Sequence, residues 1–123
     1  MSKFNALLAI FAASFVHAST DIPKLVPFSF PKEQQIGAAV AVTCIASRGT
    51  QPLLLTWLKN GLPINPRGNA APKMLSASIS ALTIDRVDAD DVANYTCRAT
   101  NAAGSDSHTA ELVVAGQCSL PLC

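Results

Sequence analysis

Apolar residues recur at every second position in several short runs of this chain, the period of a half-buried β-strand. Residues 25–30 alternate in this way between prolines at 23, 27 and 31. Proline donates no ladder hydrogen bond, so the pattern predicts an edge strand there. Gly37 turns the chain into a predicted strand over 38–47, with Val40, Val42 and Cys44 inward and Ala39, Ala41, Thr43 and Ile45 outward. A strand over 53–59 places Leu53, Leu55 and Trp57 inward. Asn60-Gly61 then signals a tight hairpin, because both central positions of a type I′ turn need positive φ. Leu62 and Ile64 mark a short strand, 65–72 reads as a turn-rich loop, and 73–76 as a weak strand. Ser80, Leu82 and Ile84 point inward from a strand over 78–84, and Val87 closes the base of the core. Carboxylates in Asp88-Ala-Asp-Asp91 are placed to accept from the free amides of a short helical turn. A strand over 93–100 carries Ala93, Tyr95, Cys97 and Ala99 inward. The turn Asn101-Ala-Ala-Gly104, with Gly104 free to adopt the left-handed conformation, leads to a last strand over 107–114 with Ala110, Leu112 and Val114 inward. Short strands at this spacing predict an all-β protein with one sandwich of two antiparallel sheets.

The first residues break the pattern. Met1-Ser2-Lys3 is a basic start, and 4–16 is apolar apart from Asn5 and Ser14. Val16-His17-Ala18 puts small residues at both cleavage positions. Residues 1–18 therefore read as a secretory signal peptide cut after Ala18, with a buried core helix as the alternative. The apolar run is too short for a membrane anchor, and 112–115 is shorter still, so no span is predicted and the chain is expected to be extracellular, secreted and soluble. Residues 19–24 form a leader, 25–115 the sandwich domain and 116–123 a tail.

Composition narrows the function classes. The chain has nine basic and eight acidic residues, and charged residues make up 14%, below the roughly 25% usual for soluble domains. Such a balance gives no electrostatic reason to bind nucleic acid or an anionic membrane. Beyond residue 18 the only histidine is His108, and common serines with one histidine make no catalytic triad. No metal-ligand spacing such as Cys-x-x-Cys occurs. Asp85, Asp88, Asp90 and Asp91 present either a weak calcium site or corner caps, and capping is the reading adopted. The expectation is a binding protein without cofactor or small-molecule substrate. An oxidising compartment would let the four cysteines pair, in any of three connectivities.

Cys44 stands 13 residues before Trp57, Trp57 stands 40 before Cys97, and Tyr95 precedes Cys97 by two. Together these resemble the hallmarks of an immunoglobulin β-sandwich with Greek-key connections. The resemblance implies a Cys44–Cys97 disulfide, with Trp57 packed against it and Tyr95 forming a tyrosine corner. Cys44…Trp57-Leu-Lys-Asn-Gly61, Leu82-Thr-Ile84…Val87, Asp91-Val-Ala-Asn-Tyr95-Thr-Cys97 and Asn101-Ala-Ala-Gly104 resemble an intermediate-set (I-set) domain. Within that set, Pro27-Phe-Ser-Phe-Pro31, Val42-Thr-Cys44 and Trp57-Leu-Lys59 look like an arthropod Down syndrome cell adhesion molecule (Dscam) domain. That family implies homophilic cell adhesion, axon guidance and self-avoidance. In arthropods it also implies soluble forms in immunity, so a secreted binder in immunity or host interaction is the alternative. Dscam proteins are long arrays of domains, whereas here Cys118-Ser-Leu-Pro-Leu-Cys123 stands in place of a next domain.

Three features are candidate sites. Asn94-Tyr95-Thr96 is an N-glycosylation sequon with Asn94 outward. Cys118 and Cys123 would bridge each other as a second disulfide, pair between chains, or mark a truncated reading frame. Two outward faces look unusually apolar: Ala39, Ala41, Ile45, Ile79 and Ala81 on one sheet, and Leu54, Leu58 and Val113 beside Arg98 and Glu111 on the other. Scattered surface apolars are normal, but a contiguous patch marks an interface with a protein partner, including a second copy of the chain.

Overall fold

A computed structural model describes residues 20–115. The predicted signal peptide, Cys118 and Cys123 lie outside the described residues. Eight strands form in chain order: β1 (Lys24–Leu25), β2 (Val40–Arg48), β3 (Leu54–Lys59), β4 (Leu62–Pro63), β5 (Ala70–Ser76), β6 (Ile79–Ile84), β7 (Ala93–Asn101) and β8 (Gly104–Leu112). They pair antiparallel into two four-stranded sheets, ordered β1-β2-β6-β5 and β4-β3-β7-β8. The sheets face each other across a core of Val40, Val42, Cys44, Leu55, Trp57, Leu82, Ile84, Tyr95, Cys97, Ala99 and Leu112. The positions predicted inward on β2, β6 and β7, from Val40 to Cys44, Ser80 to Ile84 and Ala93 to Ala99, are buried. The disulfide Cys44–Cys97 links the two sheets.

Trp57 adds a second link between the sheets. Its indole N–H donates to Ser80 Oγ at 2.9 Å, and Ser80 is buried on β6. A buried indole donor needs such a partner, and the Ser80 hydroxyl also reaches the Lys73 carbonyl at 3.4 Å.

The hairpin between β3 and β4 forms as predicted, with φ of 51° at Asn60 and 80° at Gly61. The corner before β7 is a single 3₁₀ turn, Ala89–Asp91, whose N-terminus is closed by a capping box between Asp88 and Asp91. Asp88 accepts from the Ala89 amide at 2.6 Å, and Asp91 Oδ2 accepts from the Asp88 amide at 2.8 Å.

Four expectations need correction. The strand expected over 25–30 shrinks to Lys24–Leu25, with one further bond from the Val26 amide to the Ile45 carbonyl. Pro27 then lifts the chain off the sheet, and Gln34 forms an isolated parallel bridge with Val114, just past the end of β8. Phe28 and Phe30 still turn inward, edge-on to Trp57 and Tyr95 at 5.4 and 5.5 Å, and plug the open side of the sandwich. The loop expected over 65–72 overlaps β5, which begins at Ala70 and includes Pro72 opposite Leu82. β5 is an edge strand, so it tolerates a missing amide. β8 starts at Gly104, three residues earlier than expected, and Gly104 sits at φ 158°, nearly extended and not left-handed.

The leader segment is docked. The Asp21 amide donates to Thr50 Oγ1 at 2.7 Å, and the Thr50 amide donates back to the Asp21 carbonyl at 3.1 Å. Gly49 lets the two segments touch, since a Cβ there would lie 3.0 Å from Pro23 Cα.

Candidate interaction surfaces

No titratable cluster or enclosed cavity dominates the described residues, so the candidate site is a surface. The sandwich presents two outer faces, each set by the outward half of the strand alternation.

The outer face of β1-β2-β6-β5 is built in rows by the register. Ala41 lies beside Thr83 and then Ala71, Thr43 beside Ala81 and then Lys73, and Ile45 beside Ile79. Ala39 and Ala41 are exposed, whereas Ile45 and Ile79 are half-buried. Ala81 is only 8% exposed and offers no contact surface. Its methyl group is too short to clear the longer side chains of Thr43 and Lys73 on either side of a central strand. Lys73 is the only charged side chain in these three rows. Ala41 stands between two shallow recesses, one bordered by Phe28, Ser29 and Thr43, the other by Ala39, Thr83 and Asp85.

The outer face of β4-β3-β7-β8 differs in chemistry. Its rows read Leu54–Thr100–Ser105, Thr56–Arg98–Ser107, Leu58–Thr96–Thr109 and Asn94–Glu111. Leu54 is 63% exposed but stands alone at one end, and Leu58 is half-buried beside Pro63. Between them lies a field of hydroxyls. Thr96 and Thr109 bond through their Oγ1 atoms at 2.7 Å, and Arg98 reaches Ser105 Oγ at 3.5 Å. The apolar patch expected here from Leu54, Leu58 and Val113 is thus divided by threonines and serines. Runs of alternating outward residues were visible in the sequence, but which residues share a row depends on register.

At the base of this face Asn94 is exposed. Its backbone is held by the hairpin: Asn60 Oδ1 accepts from the Asn94 amide at 2.9 Å, and the Asn60 amide donates to the Asn94 carbonyl at 2.8 Å. Beneath it, Tyr95 is fully buried and donates to the Asp91 carbonyl at 2.7 Å. Burial, with the Asp91 carboxylate as a smaller contribution, pushes the phenol pKa up to about 12. Asp91 itself is buried and also accepts from Asn69 Nδ2 at 3.1 Å. Asp88 and Asp91 are thereby committed to the corner. The pin of Tyr95 on this corner and the bridged cysteines on facing sheets are the defining geometry of an immunoglobulin sandwich.

The profile of the immunoglobulin I-set domain matches residues 23–114. The chain belongs to the I-set family. Over 100 residues, 80% of its length, this I-set chain is 35% identical to the mouse cell adhesion molecule DSCAML1. It is 37% identical over 92 residues to the cell adhesion molecule Dscam2 of Drosophila melanogaster. The chain spans about 5% of the length of the first relative and 4% of the second. Among solved structures, the Dscam1 Ig7 domain, isoform 9, superposes with a TM-score of 0.73 at 33% identity, covering 76% of this chain and all of that domain. Among the described residues, no helix is long and apolar enough to cross a membrane.

Two features of the domain escaped the sequence reading. One is the hydroxyl field, a matter of register. The other is Asn101, whose Oδ1 accepts from Ala103 and Gly104 while Nδ2 donates to the carbonyls of Asp21 and Thr50. An Asn before two alanines and a glycine signals the turn, but not the segment 80 residues away that it holds.

Proposed function

We propose that this I-set domain works outside the cell as a protein-binding module in homophilic cell–cell adhesion of the Dscam type, the kind used in axon guidance and self-avoidance. The observation that carries this reading is 35–37% identity to cell adhesion molecules over 75–80% of the chain. The broad outer sheet faces among the described residues support a binding role. The binding face in this reading is the outer face of β1-β2-β6-β5. Ala39, Ala41 and Ala71 have short side chains that let a second sheet approach closely, and Ile45 and Ile79 supply apolar contact at one end of its central strands.

Bead aggregation with the purified chain tests this. Beads carrying the protein should cluster with each other. Ala41→Arg should abolish clustering by placing an unpaired charge in the contact, and Thr56→Arg on the opposite face should leave it intact. Beads that stay dispersed at every coating density overturn the homophilic reading and favour a secreted binder of another protein. Clustering that survives Ala41→Arg and is lost with Thr56→Arg moves the interface to the other face.

A further inference from the structure

We propose that Asn94 carries an N-linked glycan whose first sugar covers an apolar pair at the base of the β4-β3-β7-β8 face. The inference rests on the reading that the chain enters the secretory pathway, and it adds a covalent modification with a defined footprint.

Asn94-Tyr95-Thr96 supplies the acceptor amide and the hydroxyl two residues on that the transfer requires. In that transfer Asn94 Nδ2 bonds to the anomeric carbon of an oligosaccharide carried on a polyprenyl diphosphate. The anomeric C–O bond breaks, its electron pair leaves with the diphosphate, and the amide gives up one proton. The folded domain accommodates the product. Asn94 is exposed, and among the described residues its side-chain amide has no hydrogen-bond partner; the hairpin bonds use its backbone alone. It occupies the last outward row of the ladder, opposite Glu111, so a glycan would leave over the end of the sheet without crossing the hydroxyl rows. The alternation sends Tyr95 into the core and keeps Asn94 and Thr96 on the outer face.

The register extends this argument. Ala93 and Leu112 are the last pair of the ladder, and Val92 and Val113 are the next residues on the two segments. These valines are 36% and 38% exposed, and each stands two positions from Asn94 or Glu111, the spacing that shares a face of an extended chain. They are exposed apolar residues flanking the last pair of the ladder, beside the glycosylation point. In this proposal the C–H face of an N-acetylglucosamine linked to Asn94 packs over these valines and takes them out of water. The glycan would also block the base of this face, leaving the alanine-rich face across the sandwich open for a partner.

The test is the full chain expressed in a eukaryotic secretory host. The secreted protein should exceed its polypeptide mass by one oligosaccharide, and peptide-N-glycosidase should remove the excess. Asn94→Gln and Thr96→Ala should lack it, and Thr96→Ser should retain it. Deglycosylated protein and Asn94→Gln should bind more of an apolar fluorescent dye, and Val92→Ser in the Asn94→Gln background should reverse that rise. Secreted protein at bare polypeptide mass overturns the glycan. A glycan whose removal leaves dye binding unchanged overturns the covering role. Protein that never reaches the medium overturns the secretion reading instead, and this inference with it.

Discussion

Tyr95 ties the core, the corner and β7 together through one side chain. Its ring packs edge-on to Phe30, and its hydroxyl donates to Asp91, whose carboxylate in turn holds the Asp88 amide and Asn69. Burial disfavours the charged phenolate, and the Asp91 carboxylate adds a smaller push, which is why its pKa rises to about 12. The folded pKa lies above the unfolded value of about 10. The stabilisation is therefore complete below pH 10 and is lost as pH rises from about 10 to about 12. Tyr95 is the only tyrosine in the chain, so tyrosinate absorbance reports it alone. The titration midpoint should lie near 12 in the native protein and near 10 in denaturant. A native midpoint near 10 would contradict a buried, donating hydroxyl. Tyr95→Phe leaves the buried Asp91 carbonyl without this donor and should cost roughly 1–3 kcal/mol at neutral pH, read by urea denaturation. At this scale the sequence was informative wherever alternation alone decides burial, as at Cys44, Trp57, Tyr95 and Cys97. It was silent where a contact crosses between sheets. Ser80 was legible as inward, yet nothing in the sequence paired it with the Trp57 indole, and Ala81 was legible as outward but not as shaded by its neighbours.

Among the elements, β8 was the hardest to read for a physical reason. Its inward positions continue upward from Leu112 and Ala110 to His108 and Asp106, which are polar, so the apolar period fades there. Those positions do not face the core. They face the N-terminal segment: Asp106 Oδ2 accepts from the Leu25 amide at 2.8 Å, and His108 Nε2 meets the Phe28 carbonyl at 2.7 Å. The prolines that stop β1 from pairing like an ordinary edge strand are thus offset by side-chain bonds from the facing sheet. The strand also starts early because the turn before it is held by Asn101. That residue fixes the turn with two accepted bonds and anchors Asp21 and Thr50 with two donated ones. Asn101→Ala should lower stability by about 2 kcal/mol, in the range for losing several part-exposed bonds at once. It should also speed amide exchange at Thr50, whose bond partner is the Asp21 carbonyl. Asn101→Asp keeps the acceptor and removes the donor, so it should loosen the Asp21 segment while preserving the turn. If both variants exchange at wild-type rates at Thr50, the anchoring role is wrong.

For the molecule as a whole, the two sheets meet through a core of modest size and one covalent link, and their outer faces diverge in chemistry. The link spans a separation of 53 residues. A bridge closing a loop of that length restricts the unfolded chain and should contribute about 4 kcal/mol. That is a large share of the roughly 5–15 kcal/mol that holds a small domain folded. Trp57 pairs with Cys97 in the ladder, and its hydrogen bond to Ser80 ties the sheets without involving the sulfurs. The paired substitution Cys44→Ala, Cys97→Ala should therefore weaken the fold by about 4 kcal/mol relative to the oxidised protein without changing its topology. Measured by urea denaturation, the double variant should unfold at a lower midpoint with a similar or steeper slope, since its unfolded state is less constrained and exposes more surface. Adding Ser80→Ala on top should then unfold the chain in buffer, because the polar tie at the centre of the core is gone and a buried indole donor is left unpaired. A triple variant that still unfolds cooperatively at an unshifted midpoint would show that apolar packing alone holds the sheets together.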